Sequence, residues 1–342
     1  MLNKSDFQRF DTMKITIVIF FTLTIVATNL SCKKNELPLA DEYILSSKDS
    51  FPEGVTFDPV DRAFYAGSLL GSTITRIDAD GTESIFLDLD NEVSFTGMKV
   101  DADNRRLWVC AGLNNSSIPE GEEGSRFGEI WIFDLRSEQK THEYPLSDIV
   151  PNTNGRCNDL IIDKNGFGYI PDSHKPHIYK IDPNKNAGTL FASDPILDPE
   201  FTLPDSLRFF VPGSNGVVIT PDARYLLVAN TYASTLFRVS LSDPSDIIEV
   251  TLFGDAFASP DGLVMFNETL YAVSYEQIHQ VTFANQAFDE GTVQSIYFIE
   301  GMTTGTLADN QLYVIKSIPT KEDNDDFPFK IISVDLSLFD ES

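Results

Sequence analysis

The sequence is poor in cysteine, histidine and basic residues. Its 342 residues include 3 Cys and 4 His, and 25 Lys and Arg stand against 52 Asp and Glu, which gives a formal net charge of −27. None of the cysteines forms a Cys-x-x-Cys pair, so a zinc site of that type is not expected. So acidic a chain is also a poor partner for nucleic acid and for anionic lipid headgroups.

The apolar run near the N-terminus is too short for a typical membrane-spanning helix. It extends from Ile15 to Thr28, which is 14 residues, whereas a spanning helix needs roughly 20. The run is typical of the apolar region of a secretory signal. We therefore expect residues 1–31 to be a signal segment, with Met13 as the true start, because Asp6 and Asp11 are unusual ahead of such a run.

The end of this segment resembles the signal-peptidase box of bacterial lipoproteins, in which a small residue such as Ser31 precedes a lipidated cysteine, here Cys32. Asn29 stands where an aliphatic residue is usual, so an ordinary cleaved signal and a secreted protein are the alternative. The resemblance implies a lipid-anchored protein of the bacterial cell envelope, periplasmic or at the surface. Residues 32–41 would be the tether, and the lipid on Cys32 would be its one membrane contact.

Residues 42–342 are predicted to be one domain, which contains six modules of one pattern with no low-complexity linker between them. Each begins with a short polar step, continues as an apolar stretch, turns at Asp, Asn or Gly, and ends in an aromatic-rich strand. The six steps are Glu53-Gly54, Thr96-Gly97, Asn158-Asp159, Asn215-Gly216, Asp261-Gly262 and Thr304-Gly305. Successive steps are separated by 43 (96 − 53) to 62 (158 − 96) residues. Strand repeats of this period are typical of propeller blades, so the sequence predicts an all-β, six-bladed β-propeller without helices.

One strand is missing from the last module, which ends in residues 330–336. The segment 42–46 precedes the first module and belongs to none. We expect this N-terminal segment to complete the last blade, because that arrangement closes the ring and leaves no open sheet edge.

The residues just before the innermost strands are expected to meet at one mouth of the central channel. Four of them carry oxygen ligands: Glu53, Asn158, Asn215 and Asp261. Two carboxylates and two carboxamides suit Ca²⁺ when water completes the coordination, and the lack of His or Cys here disfavours zinc and copper. Each of these residues, taken alone, is most often a turn residue or a helix cap. A metal site is favoured because all four occupy the same position in their modules.

The motifs around these residues are Phe51-Pro52-Glu53-Gly54, Arg156-Cys157-Asn158-Asp159, Ser214-Asn215-Gly216 with Thr220-Pro221-Asp222, and Pro260-Asp261-Gly262. Together they resemble the family of senescence marker protein (regucalcin) and gluconolactonase, and more remotely diisopropylfluorophosphatase and the paraoxonases, over roughly residues 42–336. The resemblance implies a catalytic Ca²⁺, with another divalent cation as the alternative, held by Glu53, Asn158, Asn215 and Asp261. It also implies that Arg156 and Asn158 face the substrate.

The sequence departs from that family at two places. The strand Gly54-Val55-Thr56-Phe57 lacks the Gly-Pro and Trp of the lactonases, and no acidic substrate-binding residue of the third blade can be matched, Asp172 being the one candidate. The resemblance therefore carries no substrate identity.

The resulting interpretation is a Ca²⁺-dependent hydrolase that acts on a lactone or ester as a monomer with a small-molecule substrate. Asp261 would be the nearest base or nucleophile, and Arg156 would orient the substrate or else pair with Asp159 or Asp172. His174, on a predicted mouth loop, would move a proton or be an uninvolved solvated histidine.

Two other functions fit the same sequence. The first is a non-catalytic binding propeller that uses an axial metal for structure. The second is a condensing enzyme similar to strictosidine synthase, which the metal-ligand pattern disfavours.

Cys110 and Cys157 remain after Cys32. Each falls in or beside a predicted inner strand. We expect buried free thiols, with a disulfide between adjacent blades as the alternative.

Overall fold

The computed structural model describes residues 37–47, 51–89, 93–113, 128–151, 155–198, 212–317 and 329–340. The predicted signal segment and the lipidation site at Cys32 lie outside these residues, so both stay predictions. Within the described ranges, no helix combines the length and apolar character needed to cross a membrane.

The strands form six sheets that follow one another along the chain. The first blade contains β2 (Pro52–Asp58), β3 (Ala63–Ser68), β4 (Thr73–Asp78) and β5 (Glu83–Asp88). The second contains β6 (Val93–Asp101), β7 (Arg106–Leu113), β8 (Glu129–Asp134) and β9 (Gln139–Pro145). The third contains β10 (Ile161–Ile162), β11 (Gly168–Pro171), β12 (His177–Asp182) and β13 (Ala187–Ser193).

The other three blades follow the same order. The fourth contains β14 (Ser214–Ile219), β15 (Tyr225–Asn230), β16 (Thr235–Ser240) and β17 (Ile247–Glu249). The fifth contains β19 (Leu263–Phe266), β20 (Thr269–Val273), β21 (Gln277–Phe283) and β22 (Glu290–Tyr297), with β18 (Thr251–Gly254) at its edge. The sixth contains β23 (Met302–Ala308), β24 (Gln311–Lys316), β25 (Lys330–Val334) and the N-terminal β1 (Glu42–Ile44).

The innermost strands close into a ring. Strand β2 contacts β6, and the contacts continue through β10, β14, β19 and β23 back to β2. Strand β1 pairs antiparallel with β25, with Tyr43 opposite Ile331, so the N-terminal segment completes the last blade. Both the six-bladed propeller and its predicted closure are confirmed.

The structure differs from the sequence-based expectation in two ways. Strand β18 adds a fifth strand to the fifth blade by pairing in parallel with β22, which module periodicity does not encode. A four-residue helix, α1 (Leu146–Ile149), follows the second blade, and two 3-10 helices span Pro195–Leu197 and Leu336–Phe339. These helices lie between or after the strands, in segments that do not follow the alternating pattern of a strand.

Six apolar clusters lie between neighbouring blades. The cluster that joins the first and last blades contains Phe64, Tyr313 and Ile331, and the one that joins the second and third contains Trp108 and Tyr179. Burial of a large apolar side chain contributes about 1.5–3 kcal/mol. The same clusters hold the inner strands in register at the channel.

Candidate functional site

Close approach between neighbouring inner strands explains the glycines of the repeated polar step. A Cβ on Gly54 would lie 2.0 Å from the carbonyl oxygen of Thr96, and one on Gly216 would lie 2.2 Å from that of Asp261. Neither contact is possible for a residue with a side chain, so glycine is required at both positions. The tight contact brings the preceding polar residues of successive blades to one place.

A small cavity lies where these steps converge. It has a volume of about 10 Å³ and is lined by Glu53, Gly97, Asn158, Asp159, Asn215, Asp261, Gly262 and Thr304. All four predicted metal ligands are therefore brought together. Thr96 does not join them, because its hydroxyl donates to the carbonyl oxygen of Cys157 at 3.2 Å. The volume corresponds to roughly one water-sized group.

A chain of hydrogen bonds connects three of the four predicted ligands. Asn158 Nδ2 donates to Asn215 Oδ1 at 2.8 Å, and Asn215 Nδ2 donates to Asp261 Oδ1 at 2.6 Å. Asn215 Nδ2 also donates to Thr231 Oγ1 at 3.0 Å, while the Thr231 hydroxyl donates to the carbonyl oxygen of Pro260 at 2.7 Å. Because that hydroxyl has used its hydrogen, it accepts from Asn215, and this fixes the orientation of the amide.

The two carboxylates are buried close to each other. Burial raises the pKa of Glu53, and Arg156 opposes the change. Burial and the neighbouring Glu53 raise the pKa of Asp261 well above its usual value, although a hydrogen bond from Asn215 opposes them. Burial lowers the pKa of Arg156, while Glu53 and Asp261 raise it. The carboxylates that raise the pKa of Arg156 are thus two of the predicted ligands.

Asp159 is a residue of the cavity that the sequence reasoning did not assign to the site. Its Oδ1 accepts from the backbone N–H of Leu160 at 2.8 Å, and its Oδ2 accepts from that of Val217 at 3.5 Å. Burial raises its pKa, against the attraction of Lys99. The sequence contains one indication of this role: Asn158-Asp159 is the one polar step of the six that has no glycine.

Asp172 is 1% exposed and contacts the backbone of Arg156. Its Oδ1 accepts from the backbone N–H of Arg156 at 2.9 Å, of His174 at 2.9 Å and of Lys175 at 3.2 Å. Its Oδ2 accepts from the hydroxyl of Tyr179 at 2.8 Å. Both oxygens are engaged by the protein, so the geometry favours a residue that positions the Arg156 backbone over one that contacts substrate.

The predicted proton carrier, His174, is half-buried on the turn after Asp172. Asp172 forms an isolated bridge with Cys157, and His174 follows Asp172 by two residues. His174 is not part of the cavity lining, and its catalytic role stays a prediction.

The expectation of free thiols at Cys110 and Cys157 is wrong. The two residues form a disulfide with a Cα–Cα distance of 5.3 Å, and they are 47 residues apart in sequence. Cys110 lies on β7 of the second blade, and Cys157 directly precedes Asn158 at the start of the third. The ring places these two segments side by side, which sequence spacing alone does not show.

The donor set fits a hard divalent cation. Among the residues that the structure describes, no group of three or more His, Cys, Asp or Glu side chains is arranged to hold a metal ion. The cavity instead combines the carboxylates of Glu53 and Asp261 with the carboxamides of Asn158 and Asn215. Oxygen donors of this kind are those that Ca²⁺ prefers, and a cation would relieve the repulsion between the two carboxylates.

Comparison with solved structures finds the same fold in proteins of low sequence identity. The Malassezia sympodialis allergen Mala s 1 aligns with a TM-score of 0.67 and 14% identity, over 87% of this chain and 97% of its own. A gluconolactonase from Xanthomonas campestris aligns with a TM-score of 0.59 and 19% identity, over 87% and 91%. Virginiamycin B lyase from Staphylococcus aureus aligns with a TM-score of 0.54 and 14% identity, over 86% and 98%.

Sequence comparison gives the family. No curated protein sequence matches the chain. Residues 51–295, which are more than half of the chain, match the family described as the SMP-30/Gluconolactonase/LRE-like region. This range contains Glu53, Asn158, Asn215 and Asp261, and the chain belongs to the SMP-30/gluconolactonase/LRE-like family.

Proposed function

We propose that the protein is a gluconolactonase-like hydrolase that acts on a lactone or ester with the help of a divalent cation, Ca²⁺ being the expected one. The observation that carries this proposal is the convergence of Glu53, Asn158, Asn215 and Asp261 on one small cavity within the electrostatic reach of Arg156. Family membership supports the same reaction class. The fold alone would not, because a lyase shares it.

The four converging side chains would hold the cation. When bound, it would act as a Lewis acid toward the carbonyl group and stabilise the oxyanion that forms as water attacks. The cavity admits roughly one water-sized group, so the substrate stays outside it and approaches from the mouth.

Asp261 is proposed as the base that takes the proton of the attacking water. Its carboxylate lines the cavity that would hold the cation, so it lies beside the place of the attacking water. Asn215 donates an amide hydrogen to Oδ1, which fixes the orientation of the carboxylate.

Arg156 is proposed to orient the substrate through a carboxylate or hydroxyl group. The Asp172 carboxylate fixes the backbone of Arg156 and would act as a positioning residue. His174, on the turn that Asp172 also holds, is the proposed carrier of protons between the mouth and solvent.

A second candidate is a binding propeller in which the cation only joins the blades. The small size of the cavity favours it, because an enclosed ion connects four blades whether or not a substrate is present.

The proposed location is the cell envelope, with the chain attached through a lipid on Cys32 and otherwise monomeric. The disulfide between Cys110 and Cys157 supports a compartment outside the reducing cytosol. The net charge of −27 supports a small-molecule partner over nucleic acid.

The test is hydrolysis of a panel of aldonolactones and aryl esters by the purified protein, with and without chelator. Activity should disappear with chelator and return with Ca²⁺, and calorimetry should detect one cation site. Asp261→Asn should lower kcat by about 10²–10⁴-fold. The matched control is Asp243→Asn, at an exposed turn, which should leave kcat unchanged.

Two outcomes would contradict the proposal. Cation binding without turnover of any substrate would favour the binding propeller. Failure of the protein to bind a cation at all would remove the basis of both candidates.

A further inference from the structure

A second and larger cavity lies on the propeller axis, at the opposite end of the inner strands from the cation site. Its volume is about 490 Å³, within the range of roughly 300–1,000 Å³ that is usual for pockets that bury a small molecule. Its lining comes from the inner strands of all six blades, which is possible only on the axis. We call it the axial funnel.

The axial funnel begins one to three residues along each inner strand from the cation site. In the first blade, Glu53 lines the cation site and Thr56 lines the funnel, and in the fifth blade Leu263 of the funnel directly follows Gly262 of the cation site. The two sites are therefore adjacent along the axis, with different lining residues. The funnel opens on the face that carries the turns between first and second strands.

The wall of the funnel is mostly apolar, with Thr56, Asn267 and Thr306 as its uncharged polar residues. Each of the six inter-blade clusters contributes a side chain: Phe57, Val100, Ile162, Ile219, Met265 and Leu307. All except Phe57 are partly exposed, so apolar surface from five blades meets water at one place. Apolar surface that converges in a concave site is typical of a ligand pocket.

Lys99 is the one charged residue among the described residues that line the funnel. It is half-buried, and no carboxylate in the described part of the chain lies within the 4.0 Å of an ion pair with it. Asp159 is near enough to attract it, but the Asp159 carboxylate is held by the backbone N–H groups of Leu160 and Val217. The Lys99 ammonium thus has no close ion-pair partner among the described residues, and an anion in the funnel would compete with the more distant Asp159 for it.

Some acidic residues on the same face are paired with arginines. Asp61 pairs with Arg105, Asp222 with Arg224, and Asp309 with Arg62, all in turns between first and second strands. Asp163 and Glu268 lie in the same kind of turn and form no ion pair among the described residues, so the positive charge is confined to Lys99 within the funnel.

We propose that the axial funnel is a second ligand site, which binds a small amphipathic carboxylate with its anionic group at Lys99 and its apolar body along the channel axis. An uncharged apolar molecule would leave the ammonium partly desolvated without a partner, and a cation would be repelled. The funnel shares no lining residue with the cation site, so this proposal does not rest on the proposed hydrolysis.

The test is titration calorimetry of the purified full-length protein with octanoate, 1-octanol and acetate. Octanol has the apolar body without the charge, and acetate has the charge without the body. Octanoate should bind at a single site at least ten-fold more tightly than either. Chelator and Asp261→Asn should leave octanoate binding unchanged.

Substitutions at two positions separate the contribution of the charge from that of the apolar wall. Lys99→Met should reduce octanoate affinity to that of octanol, whereas Lys99→Arg should retain most of it. Leu307→Asp should weaken both octanoate and octanol. Lys185→Met is the matched control, because Lys185 pairs with Asp182 at the surface with its side chain 78% exposed, and it should change nothing.

The wild-type protein supplies a second readout that needs no variant. Octanoate should slow the chemical acetylation of Lys99, measured by mass spectrometry, and should not slow that of Lys185. The proposal is overturned if neither octanoate nor octanol binds, if octanoate binds no better than octanol, or if chelator abolishes octanoate binding. Equal acetylation of Lys99 with and without octanoate would also overturn it.

Discussion

Asn215 donates a hydrogen bond from Nδ2 to Oδ1 of Asp261 at 2.6 Å, across the boundary between the fourth and fifth blades. Asn215 is 2% exposed, so this contact is made almost out of water. The amide hydrogen lowers the pKa of Asp261, against the larger effect of burial. One uncharged side chain thus stabilises the ionised form of the proposed base and also connects it, through Oδ1, to Asn158.

We predict that Asn215→Asp destabilises the metal-free protein and makes its stability strongly dependent on Ca²⁺. The substitution removes both donated hydrogen bonds and adds a carboxylate beside Asp261. Loss of a buried hydrogen-bond partner costs about 1–3 kcal/mol. Urea denaturation in chelator should show this loss, and Ca²⁺ should raise the stability of the variant more than that of the unmodified protein.

The matched control is Asn184→Asp, at an exposed turn, which should be neutral in both conditions. An Asn215→Asp protein that gains no stability from Ca²⁺ would argue against a cation at this position.

A second prediction concerns pH in the absence of metal. The pKa of Asp261 in the folded protein is raised by burial and by Glu53. The folded state therefore holds a proton that the unfolded state releases above about pH 4. The stability that Asp261 contributes is fully present below that pH and is lost as the pH rises through the folded pKa.

The measurement is the difference in unfolding free energy between the protein and Asp261→Asn, both in chelator, from pH 4 to pH 8. Relative to the variant, the protein should become less stable as the pH rises. Saturating Ca²⁺ should remove this trend, because the cation favours the ionised carboxylate. A difference that does not vary with pH would show that Asp261 has an ordinary pKa.

The start of each blade could be predicted from the sequence because close packing between neighbouring blades requires particular residues there. A Cβ atom on Gly54 or Gly216 would lie 2.0 or 2.2 Å from a backbone oxygen of the next blade, so only glycine fits. The polar-Gly step in the sequence therefore marks each of these contacts. The shared register of Glu53, Asn158, Asn215 and Asp261 follows from the same ring, and the residues meet as expected.

Other features depend on which segments become neighbours in three dimensions. The parallel pairing of β18 with β22 and the bond between Cys110 and Cys157 join segments that have no common sequence pattern. The engagement of Asp172 by Tyr179 and three backbone N–H groups likewise depends on the turn conformation of the third blade. Sequence periodicity carries no information about these contacts.

A third prediction concerns the disulfide. Cys110 and Cys157 close a loop of 47 residues between the second and third blades, which in the chain-entropy account contributes about 4 kcal/mol. The double substitution Cys110→Ala with Cys157→Ala should lower the free energy of unfolding by up to this amount. Reductant should destabilise the unmodified protein similarly and should not affect the double variant.

The disulfide also bears on the site, since Cys157 directly precedes Asn158. Cation affinity measured by calorimetry should therefore fall in the double variant under conditions where it remains folded. If reductant changes neither stability nor cation affinity, the cysteines do not pair in solution.

A fourth prediction concerns the ion pair that joins the first two blades at their turns between first and second strands. Arg105 Nη1 donates to Oδ1 of Asp58 at 2.7 Å, and Nη2 donates to Oδ2 of Asp61 at 2.6 Å. Asp58 is 0% exposed, and its Oδ2 has no hydrogen-bond partner among the described residues, so the arginine supplies most of its compensation. Arg105→Met should destabilise the protein by about 3–5 kcal/mol, because it leaves a buried carboxylate uncompensated.

Adding Asp58→Asn to Arg105→Met should recover part of that loss, since the second substitution removes the buried charge. Arg136→Met is the matched control: its pair with Asp134 is at the surface, with the arginine side chain 65% exposed, and such pairs contribute about 0–1 kcal/mol. Urea denaturation of the four proteins gives the comparison. If Arg105→Met is no more destabilising than Arg136→Met, the blade junction is held by its apolar cluster alone and the Arg105–Asp58 pair is energetically neutral.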